Sequence, residues 1–247
     1  MVADQIPLTV IIPAFNEEAC IQRSLHLLNS YLSLHYPESE VILVDDGSSD
    51  GTLEAMQDWV RENKSSIFFK ICTYQPNRGK GAAVKTGMLQ AKGKIRIFVD
   101  ADLPYDLDII DSMVTLFSEG ESIIIGNRND PRSVLPKIRL FRSIAGKIYS
   151  LLVQLFIPIG ISDSQCGIKG FSASAAEAIF SKVQIEGFGF DVEVLYIAQK
   201  LGFKITRVPV EMCTNRADSR VHLFSDSLRM LANLFQIRLN SYRGVYD

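Results

Sequence analysis

Apolar positions fall in short runs that alternate with amphipathic stretches over the first hundred residues. Leu8 to Ile12 is a β-branched run closed by Pro13, and Val41 to Val44 is a second, closed by Asp45, Asp46 and Gly47. Continuous apolar runs of this length predict strands buried on both faces. Between them, Glu17 to His35 places Ile21, Leu25, Leu28 and Leu32 at three- and four-residue spacing, which predicts a helix with Asn16 as its N-cap. The alternation continues with a predicted helix over Thr52–Arg61, a strand over Ile67–Tyr74, a helix over Lys80–Ala91 and a strand over Ile95–Val99 that runs into Asp100. Such a β/α series implies a parallel sheet covered on both faces. Polar residues gather just after each strand, on the edge where helix N-termini and loop amides converge on ligands.

Beyond Gly126 the alternation weakens. Pro131 and Pro136 mark a loop into an apolar segment from Ile138 to Ile161, after which Asp191–Leu201 reads as a helix, Ile205–Val210 as a strand and Leu223–Leu239 as an amphipathic helix. No linker, repeat or low-complexity tract interrupts the chain, so residues 1–247 read as one α/β domain with a C-terminal elaboration.

Composition narrows the function. With 247 residues and 47% hydrophobic content the chain can bury a sizeable core. Lys plus Arg (26) nearly balance Asp plus Glu (28), so there is no global basic field for a nucleic-acid backbone, and no nucleic-acid partner is expected. Cys20, Cys72, Cys166 and Cys213 stand far apart without a CxxC pair, which argues for reduced thiols rather than zinc or redox chemistry. The start of the chain has acidic Asp4 where a secretory signal would carry basic residues, and the expectation is a cytoplasmic protein. Ile148 to Ile161, broken by Gln154, Pro158 and Gly160, falls short of the about 20 apolar residues that a spanning helix needs.

The sharpest chemical signal is Asp100-Ala101-Asp102 at the end of a predicted strand. Side chains two apart on an extended segment point the same way, so both carboxylates can face one ligand, and hard oxygen donors suit Mg²⁺ or Mn²⁺. Alone, the motif reads more readily as a solvated loop whose Asp102 or Asp106 caps a helix. Two more acidic strand ends alter the balance: Pro13-Ala14-Phe15-Asn16-Glu17-Glu18, and Asp45-Asp46-Gly47-Ser48-Ser49-Asp50-Gly51-Thr52. Capping by Asn16, or by Ser49 and Asp50, accounts for each singly. Together with DxD they would repel one another unless a cation and hydrogen-bond donors satisfied them. Asn77-Arg78-Gly79-Lys80-Gly81 is a glycine-rich loop opening a helix with cationic heads beside free amides, a natural anion cradle that matches neither the Walker nor the GxGxxG spacing.

In this order, VIIPAFNEE, VDDGSSDGT, NRGKGAAVKTG and VDAD resemble the family 2 glycosyltransferases of GT-A fold. The segments Asp163–Phe171 and Phe190–Ala198, and the terminal helix followed by Arg243-Gly244, resemble the polyprenyl-phosphate and dolichyl-phosphate glucosyltransferase and mannosyltransferase branch, the glucosyl type more closely. The resemblance implies a Rossmann-like, mostly parallel central sheet, with residues 1–127 binding the nucleotide sugar and 128–247 the acceptor. It implies that Pro13, Phe15, Asn16, Glu17, Val44 and Asp46 meet the nucleoside, with Lys80 and Ala101 in the same donor site. Asp100 would face the ribose or the metal and Asp102 the metal, while Arg128 takes the place of a phosphate-binding arginine. Arg139 and Arg220 would meet the acceptor phosphate, and Asp163 would stand near the reacting centre. The mannosyl branch often has DADxQH, whereas this chain has Asp102-Leu103-Pro104-Tyr105-Asp106, so water or Asp106 would have to complete the metal shell.

The resemblance also implies inversion at the anomeric carbon, with a hexose, glucose in the first place, passing from UDP-glucose to a polyprenyl or dolichyl phosphate. That acceptor is already anionic near neutral pH and needs positioning more than a base. Arg139, Arg142 and Lys147 border the apolar residues of segment 139–157, which predicts an interfacial helix and a peripheral position on the cytoplasmic face of a membrane, against a buried core helix as the other reading. A soluble saccharide or protein acceptor, a GDP-mannose donor, and an inactive nucleotide-binding module are the alternatives. A membrane-anchoring partner and a homo-oligomer are left open.

Overall fold

The computed structural model describes residues 8–136, 150–213 and 223–247. Strands β1 (Leu8–Ala14), β2 (Glu40–Asp45), β3 (Phe68–Thr73) and β4 (Ile95–Val99) alternate with helices α1 (Ile21–His35), α2 (Thr52–Glu62) and α3 (Lys80–Gln90). Then follow α4 (Asp108–Ser118), β5 (Ile123–Asn127) and a short helix α5 over 150–156. The last elements are β6 (Ile168–Ser172), α6 (Ala173–Phe180), α7 (Phe190–Lys200), β7 (Ile205–Pro209) and α8 (Leu223–Tyr242). All seven strands form one sheet in the order β3-β2-β1-β4-β6-β5-β7.

Strands β1 to β4 run parallel, β6 pairs antiparallel with both β4 and β5, and β5 pairs parallel with β7. With β6 the one reversed strand, the C-terminal ends of the other six share an edge with the start of β6. The polar segments after β1, β2, β3, β4 and β5, and the Asp163–Gly167 segment before β6, therefore meet on that edge.

Alternate strand residues feed two cores, as the two-residue period of a strand dictates. Ile11, Ile42 and Phe98 pack toward α3, α6 and α7. Val10, Ile12, Leu43, Ile97 and Val99 pack toward α1, α2 and α4. The α3 side is close-packed: a Cβ on Gly87 would lie 2.3 Å from Ile11 Cγ2, so the helix rests almost directly on β1.

Several boundaries move from those expected. The first helix begins at Ile21 rather than Glu17, because Asn16 adopts φ 56° and turns the chain instead of capping it. Asn and Asp tolerate this left-handed conformation best among non-glycine residues. Helices α4 and α6 were not anticipated. α4 starts two residues after Asp106, and α6 is an Ala-rich helix capped by Ser172 Oγ, which accepts the Ala175 N–H. Among the described residues no helix is long and apolar enough to cross a membrane.

Candidate active site

The loops after β1 and β2 are laced together. Asn16 Oδ1 accepts the Ser49 N–H at 2.7 Å, Ser48 Oγ accepts the Asn16 N–H at 2.9 Å, and Glu17 N–H donates to Thr52 Oγ1 at 2.6 Å. Glu18 Oε2 accepts the Gly51 N–H at 3.1 Å, and Asp50 Oδ1 accepts the Thr52 N–H at 3.0 Å. Asn16 is thus a bridge between loops, and capping near α2 falls to Asp50. Pro13 and Val44 are buried within paired strands, whereas Phe15 presents 39% of its surface and Asn16 and Glu17 are half-buried.

Asp46 organises the glycine-rich loop. Its carboxylate, almost fully buried, accepts the Tyr74 hydroxyl (2.8 Å), Asn77 Nδ2 (2.8 Å), and the N–H groups of Arg78 (3.0 Å) and Gly79 (2.8 Å). Neighbouring Asp45 accepts the Ser48 N–H and the Thr73 hydroxyl. The acidic strand ends are therefore supplied with donors from the protein itself, and mutual repulsion does not require a ligand at these two positions. This corrects the electrostatic expectation in part: the two carboxylates brace the loop.

At the end of β4, Asp100 Oδ1 lies 2.5 Å from Lys80 Nζ. Burial opposes the Lys80 charge, but Asp100, Asp191 and Asp102 together outweigh it and raise its pKa, so the ammonium is retained. On its other flank Asp100 touches the start of β6. Its N–H donates to Gly167 C=O at 3.2 Å, and a Cβ on Gly167 would fall 2.0 Å from Asp100 Oδ2. Only glycine leaves room for that carboxylate. Ala101 is buried, and Leu103 closes the turn by donating its N–H to Asp100 C=O at 3.0 Å with φ 43°. A leucine in the left-handed region is strained by roughly 1–3 kcal/mol, and such strain tends to collect at functional loops.

Asp102 is half-buried and lines a cavity of about 520 Å³ between α1 and the turn into α4, together with Cys20, Arg23, Tyr31 and Tyr105. Asp106 also lines it, but its Oδ1 accepts the Asp108 N–H at 2.9 Å, a capping role at the start of α4. Among the described residues no three His, Cys, Asp or Glu side chains converge in metal-binding reach. The donor set that remains is two hard carboxylates, which suits an oxygen-seeking cation whose shell is completed by diphosphate and water.

The second half of the site is a chain of ion pairs. Arg128, at the end of β5, forms a two-pronged bond with Asp163: Nε to Oδ2 at 3.0 Å and an amino group to Oδ1 at 2.6 Å, reinforced by its own N–H at 2.7 Å. Burial would raise the Asp163 pKa, but the hydrogen bonds and charge of Arg128 outweigh it and hold the carboxyl below its usual range. Asp163 is thus committed to arginine, and the nearby Lys169 pairs elsewhere. Lys169 is fully buried and pairs with Asp191 at 2.5 Å while donating to Cys166 C=O at 2.7 Å. The Phe98 ring lies beneath both lysines, 5.9 Å from Lys80 Nζ and 5.3 Å from Lys169 Nζ. Tyr105 joins the halves, since its hydroxyl accepts the Gly167 N–H at 3.1 Å and the Cys166 thiol at 3.3 Å. Burial raises the Cys166 thiol pKa, which agrees with an inert, packed cysteine.

Of the expected residues, Lys80, Asp100, Asp102, Arg128 and Asp163 share the ligand edge of the sheet. Arg139 and Arg220 lie outside the described residues, as does most of the segment 139–157. Tyr105, Gly167, Lys169 and Asp191 had been assigned no role. A lysine inside the otherwise apolar strand Ile168–Ser172 was the one available signal for Lys169, because an interior cation demands a partner.

A profile of glycosyl transferase family 2 matches residues 9–180. Among its relatives, the dolichyl-phosphate beta-glucosyltransferase of Dictyostelium discoideum is 33% identical over 98% of this chain and 77% of its own length. The enzymes of that name from Saccharomyces cerevisiae and Homo sapiens are 30% and 29% identical over 98% and 97% of this chain, each covered over 77%. Among solved structures, glucosyl-3-phosphoglycerate synthase from Mycobacterium tuberculosis, crystallised with Mn²⁺, uridine diphosphate and glucosyl-3-phosphoglycerate, superposes with a TM-score of 0.69 at 19% identity, covering 94% of this chain and 80% of that one. The shared fold is the GT-A arrangement, and the chain belongs to glycosyl transferase family 2.

Proposed function

We propose that the protein transfers glucose, with inversion, from UDP-glucose to dolichyl or a related polyprenyl phosphate, and that it uses Mg²⁺ or Mn²⁺. The observation that carries this reading is the Lys80–Asp100 pair standing beside Asp102 where the glycine-rich loop opens α3. The Arg78 and Gly79 amides are bound to Asp46 and the Arg78 guanidinium to Glu186, so the loop is not the cradle of free amides that its sequence suggests, and in this reading it is Lys80 that meets the diphosphate while the two carboxylates meet the cation that accompanies it. The names of the relatives supply the acceptor, and the uridine nucleotide follows the fold neighbour.

Each chain residue then has a physical task. Phe15, Asn16 and Glu17 offer surface to the nucleoside, Lys80 holds the diphosphate side while keeping Asp100 oriented, and Asp102 with Asp100 would hold the metal. Bound there, a divalent cation neutralises the charge that develops on the departing nucleotide. Arg128, whose side chain is partly exposed, meets a phosphate in this reading while Asp163 fixes its orientation. Asp163, locked in its charged form, is a weak base. This accords with an acceptor that arrives already ionised and needs positioning above all.

Residues 1–127 serve in this proposal as the donor half and 128–247 as the acceptor half, with Arg139 and Arg220 reserved for the acceptor phosphate. The partner surface is the cytoplasmic face of a membrane. Leu151 and Leu155 on α5 and Phe235, Leu239 and Tyr242 on α8 are exposed. The rings of Phe156 and Phe235 meet at 5.0 Å and join the two helices. Arg238 and Arg243 are exposed beside them, giving the mixture of apolar and cationic side chains that an anionic bilayer attracts.

The test is a donor screen against a short-chain polyprenyl phosphate, with and without Mn²⁺ or Mg²⁺. Metal-dependent glucosyl transfer from UDP-glucose is expected. Transfer from GDP-mannose alone, or only to a soluble sugar, would replace this reading.

A further inference from the structure

The turn joining α6 to α7 is gripped from two sides. On one side Glu193 of α7, fully buried, accepts the N–H groups of Gln184 (3.0 Å) and Ile185 (2.8 Å) on Oε2 and the Tyr246 hydroxyl (2.6 Å) on Oε1. Tyr246 follows α8, is fully buried, packs edge-on to Tyr196, and receives Asn240 Nδ2 at 3.2 Å. On the other side the same turn meets the start of α3. Glu186 C=O accepts the Ala82 N–H at 3.2 Å, Lys85 Nζ donates to Val183 C=O at 2.7 Å, and Arg78 Nε donates to the Glu186 carboxylate at 3.0 Å.

This contact has no slack. A Cβ on Gly79, whose φ is 113°, would lie 2.6 Å from Glu186 C=O, and one on Gly81 would lie 2.5 Å from Ile185 C=O. A shift of residues 184–186 must therefore carry Arg78, Gly79 and Lys80 with it, and Lys80 is the partner of Asp100.

We propose that Tyr246 and Glu193 are positioning residues for the donor: they fix the 183–186 turn and through it the Arg78–Gly79–Lys80 loop against the diphosphate. The proposal rests on the nucleotide-sugar reading above. Without the Tyr246 hydroxyl, Glu193 loses one of three donors in a site that water does not reach, and the carboxylate re-pairs by moving the turn it holds. The effect falls on the donor and spares the acceptor side, where Arg128 and Asp163 are held independently.

The test compares wild type with Tyr246→Phe, which removes one oxygen and keeps the ring, and with Glu193→Gln. Titration with UDP and Mn²⁺ and steady-state kinetics with UDP-glucose should show donor Kd and KM raised roughly tenfold, kcat within about twofold, and acceptor KM unchanged. Hydrogen exchange at residues 77–82 should speed up in both variants without any ligand, so the mechanical part is tested even if wild type binds no UDP, an outcome that would instead remove the functional reading. Should Tyr246→Phe fail to fold, Asn240→Ala, which withdraws only the support of that hydroxyl, must still accelerate exchange at 77–82. Unchanged donor affinity with unchanged exchange, or a fall in kcat and melting temperature at constant KM, overturns the proposal.

Discussion

Asp102 and Asp163 are both carboxylates on the ligand edge of the sheet, and their surroundings give them opposite tasks. Asp163 has its oxygens occupied by the guanidinium and the backbone N–H of Arg128, which makes it a strut for that residue. Its depressed pKa means that its stabilising contribution is present above the unfolded carboxyl value, near pH 4, and is lost as pH falls through the lower folded value. Asp163→Asn should therefore flatten the acid limb of a melting-temperature profile below about pH 4, which differential scanning fluorimetry can follow. Glu193 acts in the opposite sense. Burial raises its pKa despite the hydrogen bonds from Tyr246, Ile185 and Gln184, so its contribution declines as pH rises from the unfolded value through the folded one. Gly167 is packed directly against the Asp100 carboxylate. Gly167→Ala should push Asp100 away from Lys80 and lower turnover by roughly two orders of magnitude, as loss of a charge-stabilising group does, with a modest change in melting temperature. Turnover equal to wild type would show that the Asp100 position is not critical.

At the scale of elements, the closeness of α3 to β1 sets where the glycine-rich loop begins. Gly87→Ala places a methyl 2.3 Å from Ile11 Cγ2 and should cost about 1–3 kcal/mol of stability in urea titration while weakening nucleotide binding. The elements of the first hundred residues were legible in the sequence because apolar runs and heptad-like spacing are local signals. Ile95–Val99 matches in full, and Thr52 and Lys80 mark helix starts as expected. The start of α1 was not legible, since Asn16 serves equally as a cap or as a left-handed turn, and only the partner Ser49 across 33 residues decides which. The reversed strand β6 was hidden for a related reason: antiparallel insertion between β4 and β5 is a tertiary outcome with no local mark. In the site, the motif residues were readable as acidic or basic, but their partners were not. That Asp46 spends its oxygens on residues 74–79, and that Asp163 chooses Arg128 over Lys169, follow from placement in space.

For the whole molecule, the sheet topology places Lys80, Asp100, Asp102, Arg128 and Asp163 on one edge, with Tyr105, Lys169 and Asp191 packed among them, while α5 and α8 present apolar and cationic side chains. Replacing Phe235 and Leu239 with Asp should reduce co-sedimentation with anionic liposomes by roughly tenfold or more, since each removes buried apolar area and adds a repelled charge. Activity on a detergent-dispersed, short-chain acceptor should persist in that variant. Undiminished liposome binding would move the membrane contact to another surface. The account as a whole turns on a cation-assisted diphosphate site at Asp100 and Asp102, and calorimetric titration of UDP measures it most directly. The predicted result is binding in the presence of Mn²⁺ that weakens at least tenfold with a chelator or in Asp102→Asn, with the fold of the variant intact. Equal UDP affinity in all three conditions would contradict it.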